Sequence, residues 1–319
     1  MFKVFLCIAD HHNPWLVAVA AVVCVVATLA TVFLYSRVPA FPAWRRWTWL
    51  TMTGLVAGSG IWTTHFVAML AFETGLPTGY AALETMGSLG VAVVSATLGF
   101  AVASGRASLA RPRASTVAGG LIVGLGITFM HYVGMSGYRT EGVVRWDLDY
   151  VVASVAVGAV LSAVALLTVR PGASAGRQAA GAVLLTLGIV AMHFTGMTAV
   201  TIVPDAGVRV PAEVMSVGAM VVAAVAVTAL VIITAIGGVA IDTAARSGNL
   251  RRLREALDVM PEGLAFYDAA DRLLAWNTRY GDLCESAGLT LAVGMRFSEM
   301  LAATLAHGAY PDAVGHEAE

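Results

Sequence analysis

GITFMHYVGM, residues 126–135, places a histidine and two methionines inside an apolar stretch. The same pattern occurs in GIWTTHFVAM, residues 60–69, and in GIVAMHFTGM, residues 188–197. The three strings align without a gap as G-I-x-x-[TM]-H-[FY]-x-[AG]-M, and their histidines are 66 and 62 residues apart (131 − 65 and 193 − 131). Self-similarity at a nearly fixed period indicates an internal structural repeat.

The composition around these strings is that of a membrane protein. Hydrophobic residues make up 58% of the 319 positions, and charged residues only 12%. A soluble domain is less apolar than this, so the composition predicts a polytopic membrane protein. The net charge of −1 gives no basis for nucleic-acid binding. The three cysteines contain no CxxC pair and define neither a disulfide framework nor a zinc site.

The apolar runs predict the number of membrane crossings. Runs of about 20 residues or more are long enough to cross a bilayer. They cover residues 15–36, 48–72, 81–104, 115–138, 149–169, 179–203 and 213–241. In hydrocarbon the backbone must satisfy its own hydrogen bonds, so each run is predicted to be a helix. The predicted fold class is therefore an all-α polytopic membrane protein with seven transmembrane helices.

The repeat unit is predicted to be a pair of helices that occurs three times, and the first of the seven helices lies outside the repeat. Ser88, Ser154 and Ser216 each lie 23 residues after the histidine of their copy. An even number of crossings separates the copies, so they are parallel and related by an axis along the membrane normal. We expect the three histidines at one depth in the outer leaflet, about 7–10 residues or about 10–15 Å from the outer helix ends.

The basic residues of the connections predict the orientation. One side holds twelve: Arg37, Arg45, Arg46, Arg106, Arg111, Arg113, Arg170, Arg177, Arg246, Arg251, Arg252 and Arg254. The other side holds four: Lys3, Arg139, Arg145 and Arg209. The richer side is expected in the cytoplasm. This predicts a multi-pass protein of the cytoplasmic (inner) membrane with a periplasmic N-terminus and a cytoplasmic C-terminus.

The last part of the chain is different in kind. We predict a membrane domain over 1–242, a helical linker over 243–260 and a small α+β segment over 261–319. In that segment GLAFY reads as a strand, DAAD as a turn and RLLAWN as a second strand, and Asn277 is placed to cap a following helix. So short a segment predicts an incomplete domain.

The repeated motif has the residues of a soft metal site. Side chains four apart share one face of a helix, which pairs each histidine with the methionine after it. The predicted ligands are His65, Met69, His131, Met135, His193 and Met197, with Met130 and Met192 as possible additional ligands. Imidazole and thioether donors suit Cu(I) and not Mg²⁺ or Ca²⁺. The alternative interpretation is that these residues only pack, because intramembrane histidine and methionine also serve that role.

Glycines and outer-side polar residues near the motif have structural interpretations. Close helix packing is predicted at Gly54, Gly58, Gly120, Gly124, Gly188 and Gly196. Solvated loop positions, with gating of the site as the alternative, are predicted for Asp10, His11, His12, Glu73 and Glu84.

Met130-His131-Tyr132 and its copies Met192-His193-Phe194 and Thr64-His65-Phe66 resemble the MHYT integral membrane sensor domain of bacteria. The resemblance covers about residues 8–242. It implies a periplasm-side sensor whose histidines and methionines bind copper and, through it, oxygen, carbon monoxide or nitric oxide. Two departures stand out: the first copy has Thr64 in place of Met and Ala68 in place of Gly, and none of the copies has all four letters of the motif.

LREALDVMPEGLAFYDAADRLLAWNTRY resembles the start of a PAS domain. Relatives with this arrangement usually continue into diguanylate cyclase, cyclic-di-GMP phosphodiesterase or histidine kinase modules, which implies a cytoplasmic output domain or protein as partner. The chain contains no GGDEF, EAL or kinase motif, so it is not expected to be an enzyme itself. Signalling from helix to PAS usually works across a dimer, which implies a homodimer.

Two alternatives to a sensor stay open at this stage. Parallel repeats and intramembrane polar residues also fit a transporter or channel for copper or another small solute. Against this, the inner half of the bundle has few polar residues to complete a path. The main exceptions are Thr48, Thr51, Thr53 and Ser59. Paired histidines could also ligate haem in a membrane enzyme, but no acid–base constellation accompanies them. A retinal pigment is excluded because Lys3 is the only lysine.

Overall fold

A computed structural model describes residues 2–38, 43–105, 112–169 and 173–306. Contacts between Cα atoms divide the chain into two compact units, Met1–Gly238 and Val239–Glu319. The first unit contains the repeats and the second contains the α+β segment. The predicted domain boundaries at 242 and 260 stay predictions.

The first unit is built from long apolar helices. Helix α1, Phe2–His11, precedes them. The long helices are α2 (Pro14–Arg37), α3 (Ala43–Ala71), α4 (Ala82–Ser104), α5 (Pro112–Ser136), α6 (Leu148–Thr168), α7 (Ala175–Thr198) and α8 (Val217–Asp258). Helix α8 begins in the first unit and continues past the end of that unit at Gly238. All seven contain a window long and apolar enough to cross a membrane, as the sequence predicts. The protein is therefore a multi-pass membrane protein, and the described residues include seven helices that can span the membrane.

Local capping explains where two of these helices begin. The Asn13 side chain accepts hydrogen bonds from the N–H groups of Trp15 and Leu16, and Pro14 occupies the first position of α2. The Asp147 carboxylate accepts the N–H of Asp149 at the start of α6. Both caps satisfy donors that a helix terminus leaves without an intrahelical partner.

Six helices form a closed ring. Each of α2 to α7 contacts the next in sequence, and α2 also contacts α7. Inside the ring α5 contacts both α3 and α7, and α3 meets α7 through the side chains of His65 and His193. Burial follows this arrangement: 89% of the apolar window of α3 is buried, against 33% for α2 and 17% for α8. The first spanning helix, α2, is not part of the repeat and completes the ring. The last spanning helix, α8, has most of its apolar window exposed.

Glycines allow the closest helix approaches, as predicted. A Cβ at Gly58 would lie 2.4 Å from the Val93 nitrogen of α4. A Cβ at Gly124 would lie 2.4 Å from the Gly158 oxygen of α6. Backbone atoms at these distances cannot give way, so only glycine fits. Gly188 makes a looser contact, with Leu161 Cβ at 3.2 Å.

Short strands, which the apolar pattern did not predict, follow the motif helices. Strand β1 (Thr78–Tyr80) pairs antiparallel with β2 (Tyr138–Thr140), and β3 (Gly142–Trp146) pairs with β4 (Val200–Pro204). Because β4 is apolar, it extended the predicted sixth span to residue 203, whereas α7 ends at Thr198. We call the side of the first unit that carries β1–β4 the strand end.

The second unit has the predicted strand, turn, strand and helix order. Strands β5 (Ala265–Tyr267) and β6 (Leu273–Trp276) pair antiparallel and are followed by α9 (Thr278–Ser286) and α10 (Phe297–Ala306). Its core contains Leu273, Cys284, Leu289 and Met300.

The buried Asn277 ties this unit together. Its side-chain oxygen accepts the N–H groups of Leu264 and Tyr280, and its amide donates to the carbonyls of Leu257 and Glu262. The predicted cap of the helix after the second strand is thus confirmed.

Candidate functional site

Three histidines from three different helices meet in the centre of the first unit. His65 lies on α3, His131 on α5 and His193 on α7, and all three side chains are buried. They are six, five and five residues from the ends of their helices (71 − 65, 136 − 131 and 198 − 193). At about 1.5 Å per residue they lie about 8–9 Å below the strand end. The depth predicted from the sequence is slightly greater, because the predicted spans end at residues 72, 138 and 203 and the helices end earlier. We call these residues the histidine triad.

The imidazole rings face one another through one type of nitrogen. The His65 Nδ1 lies 3.2 Å from His193 Nδ1 and 3.2 Å from His131 Nδ1. The ring centroids are 4.8, 5.2 and 5.3 Å apart, and the rings are steeply inclined to each other. One nitrogen from each ring falls in a group whose members all lie within 4.8 Å of one another.

Hydrogen bonding among the rings cannot satisfy all of these nitrogens. A neutral imidazole nitrogen carries either one proton or one lone pair, so His65 Nδ1 can bond to one of its two close partners only. The Nε2 atoms of all three rings are buried and make no hydrogen bond to any described protein group. Burying polar atoms without partners is costly, so the triad is incomplete as a purely structural network.

The spacing fits two nitrogen ligands of one metal ion. With metal–nitrogen bonds of about 2.0–2.1 Å, two ligands of a tetrahedral ion lie about 3.3 Å apart. The observed Nδ1–Nδ1 separations of 3.2 Å agree with this. One nitrogen of each ring lies within 4.8 Å of the other two, so an ion could accept a lone pair from each of the three rings. The donor set of the described residues therefore fits a metal ion held by His65, His131 and His193.

Glycines of the neighbouring repeats confine two of the rings. A Cβ at Gly134 would lie 2.8 Å from His65 Nε2, and a Cβ at Gly196 would lie 2.7 Å from His131 Nε2. Both glycines lie three residues after a motif histidine. Ala68 holds the same position in the first copy. In the second and third repeats, the glycine of the motif thus leaves room for the histidine ring of the preceding repeat.

The five methionines of the motif are all buried in one hydrophobic core. Met69, Met135 and Met197 lie one helical turn beyond the histidines, toward the strand end. Met197 also lines a cavity that is open at that end. Met130 is buried, and Met192 packs beside Gly158 of α6, with its Cγ 3.0 Å from where a Cβ would lie. The ligand roles of all five methionines stay predictions.

The repeated serines support aromatic residues of the motif helices. The Trp62 indole N–H donates to Ser88 Oγ at 3.1 Å and to the Thr85 carbonyl at 2.9 Å. Tyr132 and Ser154 share a hydrogen bond of 2.7 Å. Ser216 instead accepts the Ala219 N–H near the start of α8. Two of the three repeated serines therefore fix side chains next to the triad.

The strand-end residues differ in their surroundings. Asp10, His11 and Glu73 are exposed, and Glu84 forms an ion pair with Arg139 at 3.1 Å. The interpretation as solvated loop residues is wrong for His12, which is buried. It bonds through Nδ1 to the Cys7 carbonyl at 2.8 Å and packs against Phe72 and Phe194. Burial is the main cause that lowers the pKa of His12.

Sequence reasoning missed this role of His12, because two adjacent histidines before a helix cap give no sign of which is buried. The ring of Phe194 lies between His12 and His193, with centroids 5.3 and 5.1 Å away. His12 is therefore separated from the triad by one aromatic side chain.

Comparison with protein families matches the two units separately. The model described as MHYT, the bacterial signalling protein N terminal repeat, matches residues 58–117, 124–182 and 187–253. A PAS fold model matches residues 257–318. The three matches begin in the three motif helices, which confirms the predicted repeat. No solved structure matches the chain at a significant level.

Curated relatives share this part and extend beyond it. An uncharacterised signalling protein of Caulobacter vibrioides is 38% identical over 94% of this chain and 37% of its own length. The cyclic di-GMP phosphodiesterase NbdA of Pseudomonas aeruginosa is 34% identical over 61% of this chain and 25% of its own. MucR, a bifunctional diguanylate cyclase/cyclic di-GMP phosphodiesterase of the same organism, is 31% identical over 59% and 28%.

The chain thus spans less than two fifths of the length of each of these relatives. Its repeats cover more than half of its own length, and both units match the order that the sequence predicts. The protein belongs to the family of bacterial signalling proteins that carry the MHYT repeat, followed here by a PAS fold.

Proposed function

We propose that the histidine triad binds a soft metal cation, with copper as the first candidate, and that its occupancy regulates a cytoplasmic output module. One observation carries this proposal. Three buried imidazoles meet, and the Nδ1 atom of His65 lies 3.2 Å from the Nδ1 atoms of both His131 and His193, which it cannot satisfy together by hydrogen bonding. Copper bound there would supply a position at which a small diatomic gas can coordinate.

The signal would be a change in helix packing. Each ligand comes from a different inner helix, so binding an ion ties α3, α5 and α7 together near the strand end. A ligand shifts an equilibrium only if it binds two arrangements with different affinity. Helix α8 is continuous from Val217 to Asp258, so the last membrane span and the residues just before the PAS match belong to one helix.

The cellular setting follows from the charge distribution and the relatives. Twelve basic residues against four favour a strand end that faces the periplasm and a PAS fold in the cytoplasm of a bacterial inner membrane. The names of NbdA and MucR support an output in cyclic-di-GMP metabolism. This chain would supply the sensory part, assembled as a homodimer, and an output domain or partner protein would supply catalysis.

The test is to count copper in purified full-length chain loaded with Cu(I) under reducing conditions and washed. The triple variant His65→Ala, His131→Ala, His193→Ala should hold one copper per chain fewer than the wild type. The His12→Ala variant is the matched control, because it removes a buried histidine outside the triad, and it should lose none. Equal copper in the wild type and a folded triple variant would overturn the proposal.

The proposal that metal occupancy regulates an output module needs a separate measurement. Copper loading should change hydrogen exchange in residues 242–260 of the wild type and not in the triple variant. Accumulation of copper inside sealed vesicles without such a change would instead support a transporter.

A further inference from the structure

A cavity of about 530 Å³ lies at the strand end, outside the histidine triad. It is lined by residues of α1, of the segment after α3 and of the junction between α7 and β4. Its rim includes the exposed residues Lys3, His11 and Glu73, so the cavity is open to the surroundings. Cys7 and Met197 line it and are buried.

The cavity is lined by three possible metal donors from two distant parts of the sequence. Cys7 offers a thiol, Met197 a thioether and His11 an imidazole. Thiolate and thioether ligands select Cu(I) and similar soft cations over hard ones. Cys7 and His11 are four residues apart on α1, so the thiol and the imidazole lie on the same face of that helix, and Met197 lines the cavity from α7.

Charge and connectivity favour a cation in this position. The carboxylates of Glu73 and Asp147 line the cavity, and a cleft with acidic groups raises the local concentration of cations. The ammonium group of Lys3 lies over the Tyr150 ring, 5.7 Å from its centroid. Met197 lies four residues after His193 on α7. Met197 therefore belongs both to the repeated motif and to the wall of the cavity.

We propose that this cavity is a second binding site for a soft monovalent cation, built by Cys7, Met197 and His11. Its role as the entry station of the triad rests on the proposed function, whereas its ability to bind a cation does not. Met197 is the residue shared between the two sites. A cation that enters from the strand end meets the cavity before it reaches the buried rings.

The probe is Ag(I), a soft monovalent ion that has no redox chemistry under these conditions. Full-length chain in membranes is equilibrated with graded, buffered Ag(I) and treated briefly with N-ethylmaleimide. Alkylation of Cys7 is then measured by peptide mass spectrometry, which separates it from Cys24 and Cys284. The variants are Met197→Leu, which nearly conserves volume, and the control Met86→Leu, which changes an exposed methionine of α4.

Ag(I) should protect Cys7 in the wild type and in Met86→Leu at the same concentration. The Met197→Leu variant should need at least tenfold more Ag(I) for half protection, and His11→Ala should also need more. Equal protection in Met197→Leu and wild type would overturn the proposal, because the thiol would then act alone. Failure to alkylate Cys7 in silver-free membranes would overturn it too, because the cavity would be closed.

The two proposals fail separately. The triple histidine variant should keep protection of Cys7 if the cavity binds the ion by itself. Equal copper content in the wild type and that variant would end the proposal for the triad and leave the Cys7 result unaffected.

Discussion

His65 and His131 meet Nδ1 to Nδ1 at 3.2 Å, although 66 residues separate them in the chain. The contact is possible because the repeat places each histidine at the same level of a parallel helix. The same His65 nitrogen lies 3.2 Å from His193 Nδ1. A convergent, buried and unsatisfied group of this kind is an expected feature of a ligand site and an expensive one for a packing motif.

Gly134→Ala should weaken binding at the triad without touching a donor atom. The added Cβ would lie 2.8 Å from His65 Nε2 and 3.1 Å from Phe66 Cζ, so the ring must move. We expect Cu(I) affinity, measured by competition with a chelator, to fall at least tenfold. Gly87→Ala is the control, because no atom lies within 4 Å of its Cβ position. An unchanged affinity in Gly134→Ala would show that the His65 ring position does not matter for binding.

Gly124→Ala should destabilise the membrane domain itself. Its Cβ would lie 2.4 Å from the Gly158 oxygen and 2.6 Å from Ala159 Cα, and backbone cannot yield as a side chain can. Overpacking of this kind costs about 1–3 kcal/mol. Thermal unfolding in detergent should show a lower midpoint than the wild type. Gly90→Ala, with open space around the new atom, should not lower it, and a matching fall in both variants would refute the packing argument.

Asn277→Ala should loosen the second unit. The change removes the acceptor of two backbone N–H groups and the donor to two carbonyls. Loss of a cap alone costs about 1 kcal/mol, and buried groups left without partners add to this. Alkylation of the buried Cys284 should therefore be faster, by about tenfold or more. Asn277→Asp, which keeps the acceptor, should be intermediate; a wild-type rate in Asn277→Ala would contradict this.

The turn between β5 and β6 should weaken at low pH. The N–H groups of Arg272 and Ala270 donate to the Asp268 carboxylate and hold the pKa of that carboxyl below its usual value. A depressed pKa means that the contribution is present above about pH 4 and is lost as the pH falls through the folded-state pKa. At pH 6, hydrogen exchange of residues 272–277 should be faster in Asp268→Ala than in the wild type. At pH 3 the two proteins should differ less, whereas a pH-independent difference would contradict the account.

The sequence predicted the seven spans and the triad for clear physical reasons. Helices are the only stable form for apolar runs of that length in hydrocarbon, and parallel repeats place equivalent residues at one level. The motif at His65, His131 and His193 therefore sufficed to predict that the three histidines lie at one depth, whereas their meeting in the centre is seen only in the structure. The turn and cap at Asp268 and Asn277 were readable because their chemistry is local.

Features that depend on packing could not be read in the same way. Strand β4 is as apolar as the end of a span, so its periodicity carried no separate signal. The choice of Nδ1 as the inward nitrogen depends on ring rotamers that Gly134 and Gly196 restrict. The burial of His12 and the cavity next to Cys7 arise because α1 folds back onto α7, which no local pattern of residues 2–13 indicates.

X-ray absorption of bound copper tests the central claim most directly. The sample is full-length Cys7→Ser protein loaded with one equivalent of Cu(I), so that the cavity thiol does not compete. The account predicts two or three nitrogen ligands at about 2.0–2.1 Å, lost in the triple histidine variant. A shell of sulfur ligands alone at about 2.3 Å, unchanged by the histidine substitutions, would contradict it.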